Sequence, residues 1–242
     1  MRLLCDRGSG PVLALVCPLM GDEEVFAGQV DRLARRRRVL VFQSEGEDSL
    51  RDAAAELLSM LGSLGIRRFD LGGLSLGGAV ALEAADRAPG AVRSLLLLGA
   101  RHTADEPAAR EARKAMIRAL EEGRMEAVLE EFLPKLVSAQ NLQDQGERVR
   151  TMFRRLGPGL FARQLATLLT RRDLTETLRS FPGPVLCLAG AQDILTPPAI
   201  QRTMAGLARH GQWGIVPGNT GHLCSLEAPA AVLAELEAFL AA

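Results

Sequence analysis

The sequence predicts an α/β fold in which a mostly parallel central sheet carries helices on both faces and an inserted block of helices. Short apolar runs alternate with amphipathic stretches near both ends of the chain, a pattern typical of parallel strands joined by helices. One apolar run ends at a serine flanked by glycines, directly before an alanine-rich helical stretch. Residues 103–181 have apolar residues at helical spacing instead.

Length and composition agree with a single domain of this kind. The chain has 242 residues, of which 48% are hydrophobic, enough for one large core. The 29 Lys and Arg residues balance the 29 Asp and Glu residues, so no overall charge favours nucleic acid or an anionic membrane. No run approaches the roughly 18 apolar residues that span a bilayer. We interpret the apolar run 12–20 as a strand rather than a signal peptide, and expect a cytoplasmic protein.

The first part of the chain alternates between strands and helices. Residues 12–17 form an unbroken apolar run, which is typical of a strand buried on both faces. Segments between the strands have apolar residues at helical spacing. The predicted strands are 2–5, 12–17, 39–42, 68–72 and 92–98, with a turn at 6–11. The predicted helices between them are 26–35, 49–64 and 76–87.

The block 103–181 follows the strand 92–98 and is predicted to be a helical cap over the sheet edge. Its predicted helices are 108–122, 125–136, 145–156 and 160–169. A separate helical domain is the alternative, but no Pro/Gly/Ser-rich linker flanks the block. The expected organisation is a core of residues 1–102 and 182–242 with the cap at 103–181. The second part of the core adds strands 185–189 and 212–216 and a closing helix 229–240.

The pentapeptide Gly73-Leu74-Ser75-Leu76-Gly77 lies between the strand 68–72 and the helix that follows it. A serine on so sharp a strand-to-helix turn presents its hydroxyl at the carboxyl edge of the sheet. The flanking glycines lack the Cβ that would collide with neighbouring backbone. Ser75 is therefore the predicted nucleophile, with an ordinary turn serine as the alternative.

Two later segments supply partners for this serine. A serine hydroxyl needs a base to act as a nucleophile, and the base needs a carboxylate to orient it. Asp193 follows the apolar strand 185–189, and the glycine-bounded His222 follows the strand 212–216. The order serine, aspartate, histidine is one of those that catalytic triads adopt. A helix-capping aspartate and a surface or core histidine are the alternative interpretations.

In these motifs the chain resembles the α/β-hydrolase superfamily, and it looks most like the single-cap members related to 3-oxoadipate enol-lactonase. The resemblance covers nearly the whole chain. Besides the serine turn it rests on segments 101–107 and 193–198 and on Gly221-His222-Leu223 leading to 226–229. It implies the α/β-hydrolase fold with an inserted helical cap, and a mechanism without metal or cofactor. The matching segments are specific for the group and poorly specific for the substrate.

The oxyanion of a tetrahedral intermediate needs two preorganised donors. One is predicted to be the backbone N–H of Leu76, the residue after the nucleophile. Alignment with the family assigns the other to the N–H of Leu19. Here the chain departs from the family, because Cys17-Pro18 replaces the usual His-Gly and puts the geometry in question. The loop 43–49 is also shorter and more acidic than in relatives, and alters either the pocket rim or the packing beneath it.

Arg101 and His102 follow the strand 92–98 and are expected to face the pocket. Arg101 is a candidate partner for a substrate carboxylate, with an ion pair to Asp105 or Glu106 as the alternative. His102 is a candidate substrate contact or proton donor. The arginine run 35–38 is expected to be a solvated helix end rather than a nucleic-acid patch.

The cysteines are expected to be reduced, buried thiols in an intracellular protein. Cys224, two residues from His222, is expected to line the pocket wall, and a reactive thiol is the alternative. The prediction is a cofactor-independent serine hydrolase acting on a small carboxylic ester or lactone, with no nucleic-acid or membrane partner. A carbon–carbon bond hydrolase or lyase on the same triad and a ligand-binding member with little turnover stay open. A homodimer is also left open.

Overall fold

A computed structural model of the chain describes residues 1–241, and its centre is a seven-stranded sheet in the order β1-β3-β2-β4-β5-β6-β7. Every neighbouring pair is parallel except β1 and β3. The predicted mostly parallel sheet is thereby confirmed. The strands are β1 (Arg2–Arg7), β2 (Val12–Val16), β3 (Arg38–Gln43), β4 (Phe69–Leu74), β5 (Val92–Leu98), β6 (Val185–Gly190) and β7 (Gly211–Val216).

Ten α-helices and one 3-10 turn, Glu23–Phe26, are found within residues 1–241. The helices α7 to α9 were not predicted from the sequence, because they are short or begin after polar, proline-containing turns. Within the same residues, no helix combines the length and apolar character needed to cross a membrane. The helices are α1 (Ala27–Leu33), α2 (Leu50–Ser63), α3 (Leu76–Arg87), α4 (Pro107–Glu121), α5 (Met125–Leu136), α6 (Leu142–Leu168), α7 (Thr175–Ser180), α8 (Pro198–Leu207), α9 (Cys224–Glu227) and α10 (Pro229–Ala241).

The parallel register brings the carboxyl ends of the central strands to one edge. Gly73 on β4 pairs with Val16 on β2 and with Leu97 on β5. On the next strand, Leu188 of β6 pairs with Leu98 of β5. Because parallel strands in register end together, the loops that follow β2, β4, β5 and β6 meet at this edge.

The helices α4 to α7 lie between β5 and β6 in the chain, where the sequence predicted the cap. Two of the predicted helices, 145–156 and 160–169, form one element, α6, with a kink at Gly157. Gly157 has a φ of 81° and is followed by Pro158, so the regular hydrogen bonding is interrupted there. Phe153 and Phe161, on either side of the kink, pack edge to face with ring centroids 5.2 Å apart. Aromatic packing therefore joins the two halves.

The arginine run 35–38 is not simply a solvated helix end, as the sequence suggested. The helix α1 ends at Leu33, and Arg38 already belongs to β3. Arg37 donates to Asp70 Oδ2 at 2.6 Å and to the Leu240 carbonyl at 2.6 Å. Since Asp70 belongs to the central strand β4 and Leu240 to the closing helix α10, this arginine connects the sheet to α10.

Candidate active site

Ser75 occupies the sharp turn between β4 and α3. Its backbone has a φ of 54° and a ψ of −110°, outside the regions that non-glycine residues usually adopt. The turn is fixed on both sides, because the Ser75 N–H donates to the Leu98 carbonyl at 2.9 Å and the Ser75 carbonyl accepts from the Ala79 N–H at 3.1 Å. Strain of this kind persists only where the surrounding structure overdetermines the backbone.

The glycines beside the serine are required by close backbone contacts. A Cβ on Gly77 would lie 2.0 Å from the Val16 carbonyl oxygen, and one on Gly73 would lie 2.2 Å from the Gly77 carbonyl carbon. Both distances are far inside van der Waals contact, and the obstructing atoms are backbone. The glycine pattern read from the sequence thus has a steric cause, since α3 packs directly against β2 and β4.

Asp193 and His222 form a buried pair behind the serine turn. His222 Nδ1 lies 2.8 Å from Asp193 Oδ2, and both side chains are almost fully buried. The other carboxylate oxygen of Asp193 accepts the backbone N–H groups of Leu195 and Thr196, each at 2.9 Å. The Thr196 hydroxyl donates to Asp193 Oδ2 at 2.7 Å. The carboxylate is therefore held in one orientation, facing the imidazole.

The same contacts keep Asp193 ionised. Burial opposes the charged form, but attraction to His222 and the hydrogen bonds from His222 and Thr196 outweigh it, and the pKa of Asp193 falls below its ordinary value of 3.8. An ionised carboxylate accepts the Nδ1–H of His222, which leaves Nε2 as the free nitrogen of the neutral ring. Asp193 is thus not the cap of α8, whose amino end carries no side-chain capping bond.

A cavity of about 210 Å³ opens between the sheet edge and the cap helices, and both Ser75 and His222 line it. Its wall combines the edge of the sheet with side chains from α4, α5 and α6. The lining residues from those helices and from the preceding loop are Asp105, Glu106, Ala109, Arg113, Phe132, Leu136 and Leu168. The arrangement gives a small molecule access to the serine and the histidine together.

The loop that carries His222 is bonded to the cap through Glu227, on the short helix α9. One carboxylate oxygen of Glu227 accepts the Gly221 N–H at 2.9 Å. The other accepts the Ser138 N–H at 3.0 Å, just after α5. In addition, the Leu223 N–H donates to the Leu136 carbonyl at 3.0 Å. The position of the imidazole therefore depends on where α5 ends.

The loop after β2 is bonded to the cap by Gln164. Pro18 and Leu19 line the cavity, and the next residue, Met20, has a φ of 52°. The Met20 N–H donates to Gln164 Oε1 at 2.7 Å, and Gln164 Nε2 donates to the Ser44 carbonyl at 2.6 Å. Gln164 is fully buried on α6. The Oε1 end of this side chain thus holds the loop that contains the predicted Leu19 donor, and its Nε2 end holds the loop after β3.

Replacing Gln164 by leucine is expected to lower kcat/KM for an ester substrate by about 10–100-fold, because the Met20 loop loses its support and the oxyanion donor is displaced. It should also lower the free energy of unfolding by roughly 1–3 kcal/mol, since the Met20 N–H is left buried without an acceptor. Steady-state kinetics and urea unfolding would measure the two effects.

Gln29→Leu is the matched control, because Gln29 is equally buried and donates to the Ser225 and Pro229 carbonyls away from the Met20 loop. It should lower stability with much less effect on kcat/KM. Equal losses of activity in the two variants would contradict a positioning role for Gln164.

The unusual loop 43–49 contributes to packing beneath the pocket. Gln43 and Ser44 are buried, and Gln43 Nε2 donates to the Gly21 carbonyl at 2.7 Å. The Ser44 carbonyl is the acceptor for Gln164. Of the two possibilities left open by the sequence, a change in the packing beneath the pocket is the one that these contacts favour.

His102 does not face the cavity as expected from its position after β5. Its side chain is buried outside the cavity lining, and its carbonyl accepts the Leu174 N–H at 2.8 Å. Burial lowers its pKa, an effect that Asp173 opposes and Arg101 reinforces. Leu174 lies just before α7, so the chain returning from the cap covers His102.

Arg101 does line the cavity. Its guanidinium donates to the Leu195 carbonyl at 3.4 Å, a weak bond. Of the two alternative ion-pair partners, Asp105 is engaged by Arg113 and Arg171 instead, and Glu106 forms no ion pair with Arg101 among residues 1–241.

The four cysteines are free thiols. Cys224 is fully buried outside the cavity lining, and burial raises its pKa to about 12. The prediction that Cys224 lines the pocket wall is therefore wrong. Its side chain packs into the core instead. Burial likewise raises the pKa of Cys187 to about 12. Thiols of this kind are poor nucleophiles at neutral pH.

Within residues 1–241 no group of three or more His, Cys, Asp or Glu side chains is arranged to hold a metal ion.

Sequence reasoning missed several residues that the structure brings to the site. The cap block contributes Gln164, Arg113 and Arg171. They were missed because a helical pattern does not show which polar side chains point toward the site. Thr196 and Glu227 lay inside segments that matched the family, but their partners were not predicted. The only local signal was a polar residue at a position where the helical spacing calls for an apolar one, as at Gln164 between Phe161 and Leu168.

Comparisons with known proteins support the same assignment of the fold. The model of the alpha/beta hydrolase family matches residues 2–236. A pyrrolizixenacetamide deacetylase from Xenorhabdus hominickii is 26% identical over 257 aligned positions, covering 98% of this chain and 93% of that protein. The malate-bound structure of a thermophilic esterase from Thermogutta terrifontis matches with a TM-score of 0.90 and 26% identity, over 97% of this chain and 91% of that one.

An enol-lactonase from Burkholderia xenovorans LB400 matches with a TM-score of 0.88 and 19% identity, over 98% of this chain and 95% of that one. At this identity the likeness concerns the fold alone. The fold class predicted from the sequence is confirmed by these matches, and the family model confirms the predicted α/β-hydrolase superfamily.

Proposed function

Because this chain belongs to the α/β-hydrolase family, we propose that it is a serine hydrolase that cleaves a small carboxylic ester or lactone. Ser75 is the nucleophile, His222 its base and Asp193 the carboxylate that orients the base. The observation that carries the proposal is the buried 2.8 Å contact of His222 Nδ1 with Asp193 Oδ2, beside a cavity lined by both His222 and Ser75.

In the proposed mechanism, His222 Nε2 takes the Ser75 proton as the hydroxyl oxygen attacks the substrate carbonyl carbon. Asp193 fixes the imidazole tautomer and stabilises the imidazolium that forms. The tetrahedral oxyanion accepts hydrogen bonds from the Leu76 and Leu19 N–H groups. His222 then protonates the leaving alkoxide, and an acyl-enzyme remains on Ser75. Water, deprotonated by the same histidine, releases the acid.

The cavity supports a small substrate. Its volume of about 210 Å³ is below the range of roughly 300–1,000 Å³ typical of sites for drug-sized ligands. Phe132, Leu136 and Leu168 supply apolar wall, which suits a short acyl or alcohol chain. The esterase activity named for the Thermogutta terrifontis relative agrees with this class of substrate.

We also propose a cytoplasmic location, supported by the four free thiols.

A fluorophosphonate probe, which phosphonylates activated serines, tests the proposal together with a series of p-nitrophenyl esters of increasing acyl length. We expect a stoichiometric adduct, which peptide mapping places on Ser75, and turnover that falls as the acyl chain grows. A folded protein that neither takes up the probe nor hydrolyses any ester would contradict the proposal and favour a ligand-binding member of the fold. Cleavage of a vinylogous diketone in preference to every ester would favour the carbon–carbon bond hydrolase instead.

A further inference from the structure

The two edges of the central sheet are built differently. At one edge, β1 carries the charged residues Arg2, Asp6 and Arg7, and its pairing with β3 shifts register between Leu3 and Cys5. Charged side chains and irregular pairing keep an edge strand from joining another strand. At the other edge, β7 contains no charged residue and no proline, and it pairs with β6 without a shift in register. The β7 edge therefore lacks the protection that the β1 edge has.

The backbone of β7 presents hydrogen-bonding groups along this edge. The His210 carbonyl accepts the Val185 N–H and the Val216 carbonyl accepts the Ala191 N–H, both at 3.0 Å and both on the side of β6. Because successive residues of a parallel strand direct their N–H and C=O groups to opposite sides, those of the odd-numbered residues of β7 point away from β6. Among residues 1–241 no strand lies beyond β7 in the sheet. The outer side of β7 is thus a regular row of donors and acceptors.

The odd-numbered residues of β7 also carry exposed apolar side chains. Trp213 is 45% exposed and Ile215 is 41% exposed. Both lie on the face that α8 covers, since Arg202 of that helix lies over the indole, 5.7 Å from its centroid, and a Cβ on Gly211 would meet the Ala205 carbonyl. An apolar stripe therefore runs beside the row of backbone groups.

The end of the sheet is large enough for a stable interface. The helix α8 covers one face of β7 and α10 the other, where a Cβ on Gly214 would lie 3.5 Å from the Glu235 carboxylate. A six-residue strand is about 20 Å long, and three layers of about 10 Å each give an end surface of roughly 600 Å² in projection. Projecting side chains make the accessible area larger than this projection. It is therefore comparable with the roughly 800 Å² that each partner buries in a standard interface.

We propose that two copies of this chain associate through their β7 strands, which pair antiparallel about a two-fold axis and join the two sheets into one. An axis at Trp213 gives every outward N–H and C=O a partner, because it places residue 213 opposite 213 and residue 211 opposite 215. The two indoles meet at the axis, and Ile215 faces the partner's Gly211, which has no side chain to obstruct it. Only the protected β1 edges then remain open, so association stops at the dimer.

The mass in solution tests the proposal independently of any catalytic activity. Sedimentation velocity and light scattering, from low micromolar to near-millimolar protein, should give twice the 26.0 kDa of the chain. Trp213 is the only tryptophan in the sequence, which has no tyrosine, so intrinsic fluorescence reports on the interface. Its emission should shift to longer wavelength in step with any loss of dimer on dilution. A monomer at every concentration would overturn the proposal.

The variant Ile215→Lys tests the strand itself. It places a charge where the proposed interface excludes water, and should raise the dissociation constant of the dimer by at least about 100-fold. Leu64→Lys is the matched control, because Leu64 is 39% exposed next to the end of α2, away from the sheet edge. It should leave the dimer unchanged, and circular dichroism checks that both variants are folded. Dimerisation of Ile215→Lys as tight as that of the wild type would place the contact elsewhere and refute the proposal.

Crosslinking tests the register without depending on loss of the dimer. In the proposed pairing the two Cα atoms of residue 213 are about 5.5 Å apart, a distance that a disulfide can bridge. Mild oxidation of Trp213→Cys should therefore give a crosslinked dimer on a non-reducing gel, above the background of the wild type. Gln212→Cys is the matched control, because the two Cα atoms of residue 212 are about 8 Å apart in this register, too far for a disulfide. Equal crosslinking of the two variants, or none of Trp213→Cys, would contradict the pairing.

Discussion

Replacing Ser75 by alanine is expected to lower kcat for ester hydrolysis by on the order of 10⁴–10⁶-fold, with no loss of the fold. The hydroxyl is the only group at the turn that can form the acyl-enzyme. Its removal leaves only the oxyanion donors and substrate binding to accelerate attack by water. Alanine fits the turn, because the contacts that fix it are made by the Ser75 backbone N–H and carbonyl. Steady-state kinetics with p-nitrophenyl butyrate would measure the loss.

The control for this variant is Ser63→Ala, an exposed serine at the end of α2 that bonds only to the Ser59 carbonyl. It should retain full activity. Activity of Ser75→Ala close to that of the wild type would refute the nucleophile assignment. Retained labelling by the fluorophosphonate probe would then identify another serine as the nucleophile.

Replacing Asp193 by asparagine is expected to lower kcat by on the order of 10⁴-fold, the effect known for a triad that is left with the wrong histidine tautomer. The amide oxygen would keep the two bonds from the Leu195 and Thr196 N–H groups, and the amide NH₂ would replace the oxygen that faces His222. In that arrangement His222 Nδ1 becomes the acceptor, and its Nε2 carries the proton that it should remove from Ser75. The loss should appear in kcat rather than in KM.

Thr196→Val is the matched control, because Thr196 donates its hydroxyl to Asp193 Oδ2 but leaves the carboxylate in place. A loss of only about 10-fold or less is expected, the scale of one neutral hydrogen bond. If Thr196→Val and Asp193→Asn lower kcat by the same factor, the loss would be explained by orientation of the whole loop rather than by the carboxylate charge.

The lowered pKa of Asp193 makes the free energy of unfolding depend on pH. This dependence distinguishes the effect of the carboxylate charge from the effect of side-chain shape. A carboxyl group with a folded-state pKa below its unfolded value of 3.8 contributes stability that is fully present above that value. The contribution is lost as the pH falls through the folded-state pKa. The difference in unfolding free energy between wild type and Asp193→Asn should therefore be constant near neutral pH and shrink below about pH 4. A difference independent of pH down to the acid limit would contradict an ionised Asp193.

Local sequence patterns were sufficient for the fold class and for the order of most elements. Apolar runs and glycine-bounded turns depend on neighbouring residues, and their periods distinguish strands from helices. For the same reason Ser75, Asp193 and His222 could each be located at the end of a predicted strand. Parallel strands end at one edge, so the chain order alone indicated that the three would converge. Their catalytic roles stay predictions until the variants above are measured.

Contacts between distant parts of the chain could be decided only by the tertiary structure. The Gln164 side chain meets Met20 across 144 residues, and Arg171 meets Asp105 across 66. Neither pair has a local signature, because a helical pattern shows which face is apolar but not which polar residue points inward, or at what. His102 illustrates the same limit, since its place after β5 suggested the pocket and the returning chain at Leu174 covered it. The sequence by itself determined an α/β-hydrolase fold and the serine turn, and the packing of the cap decided the lining and charge of the pocket.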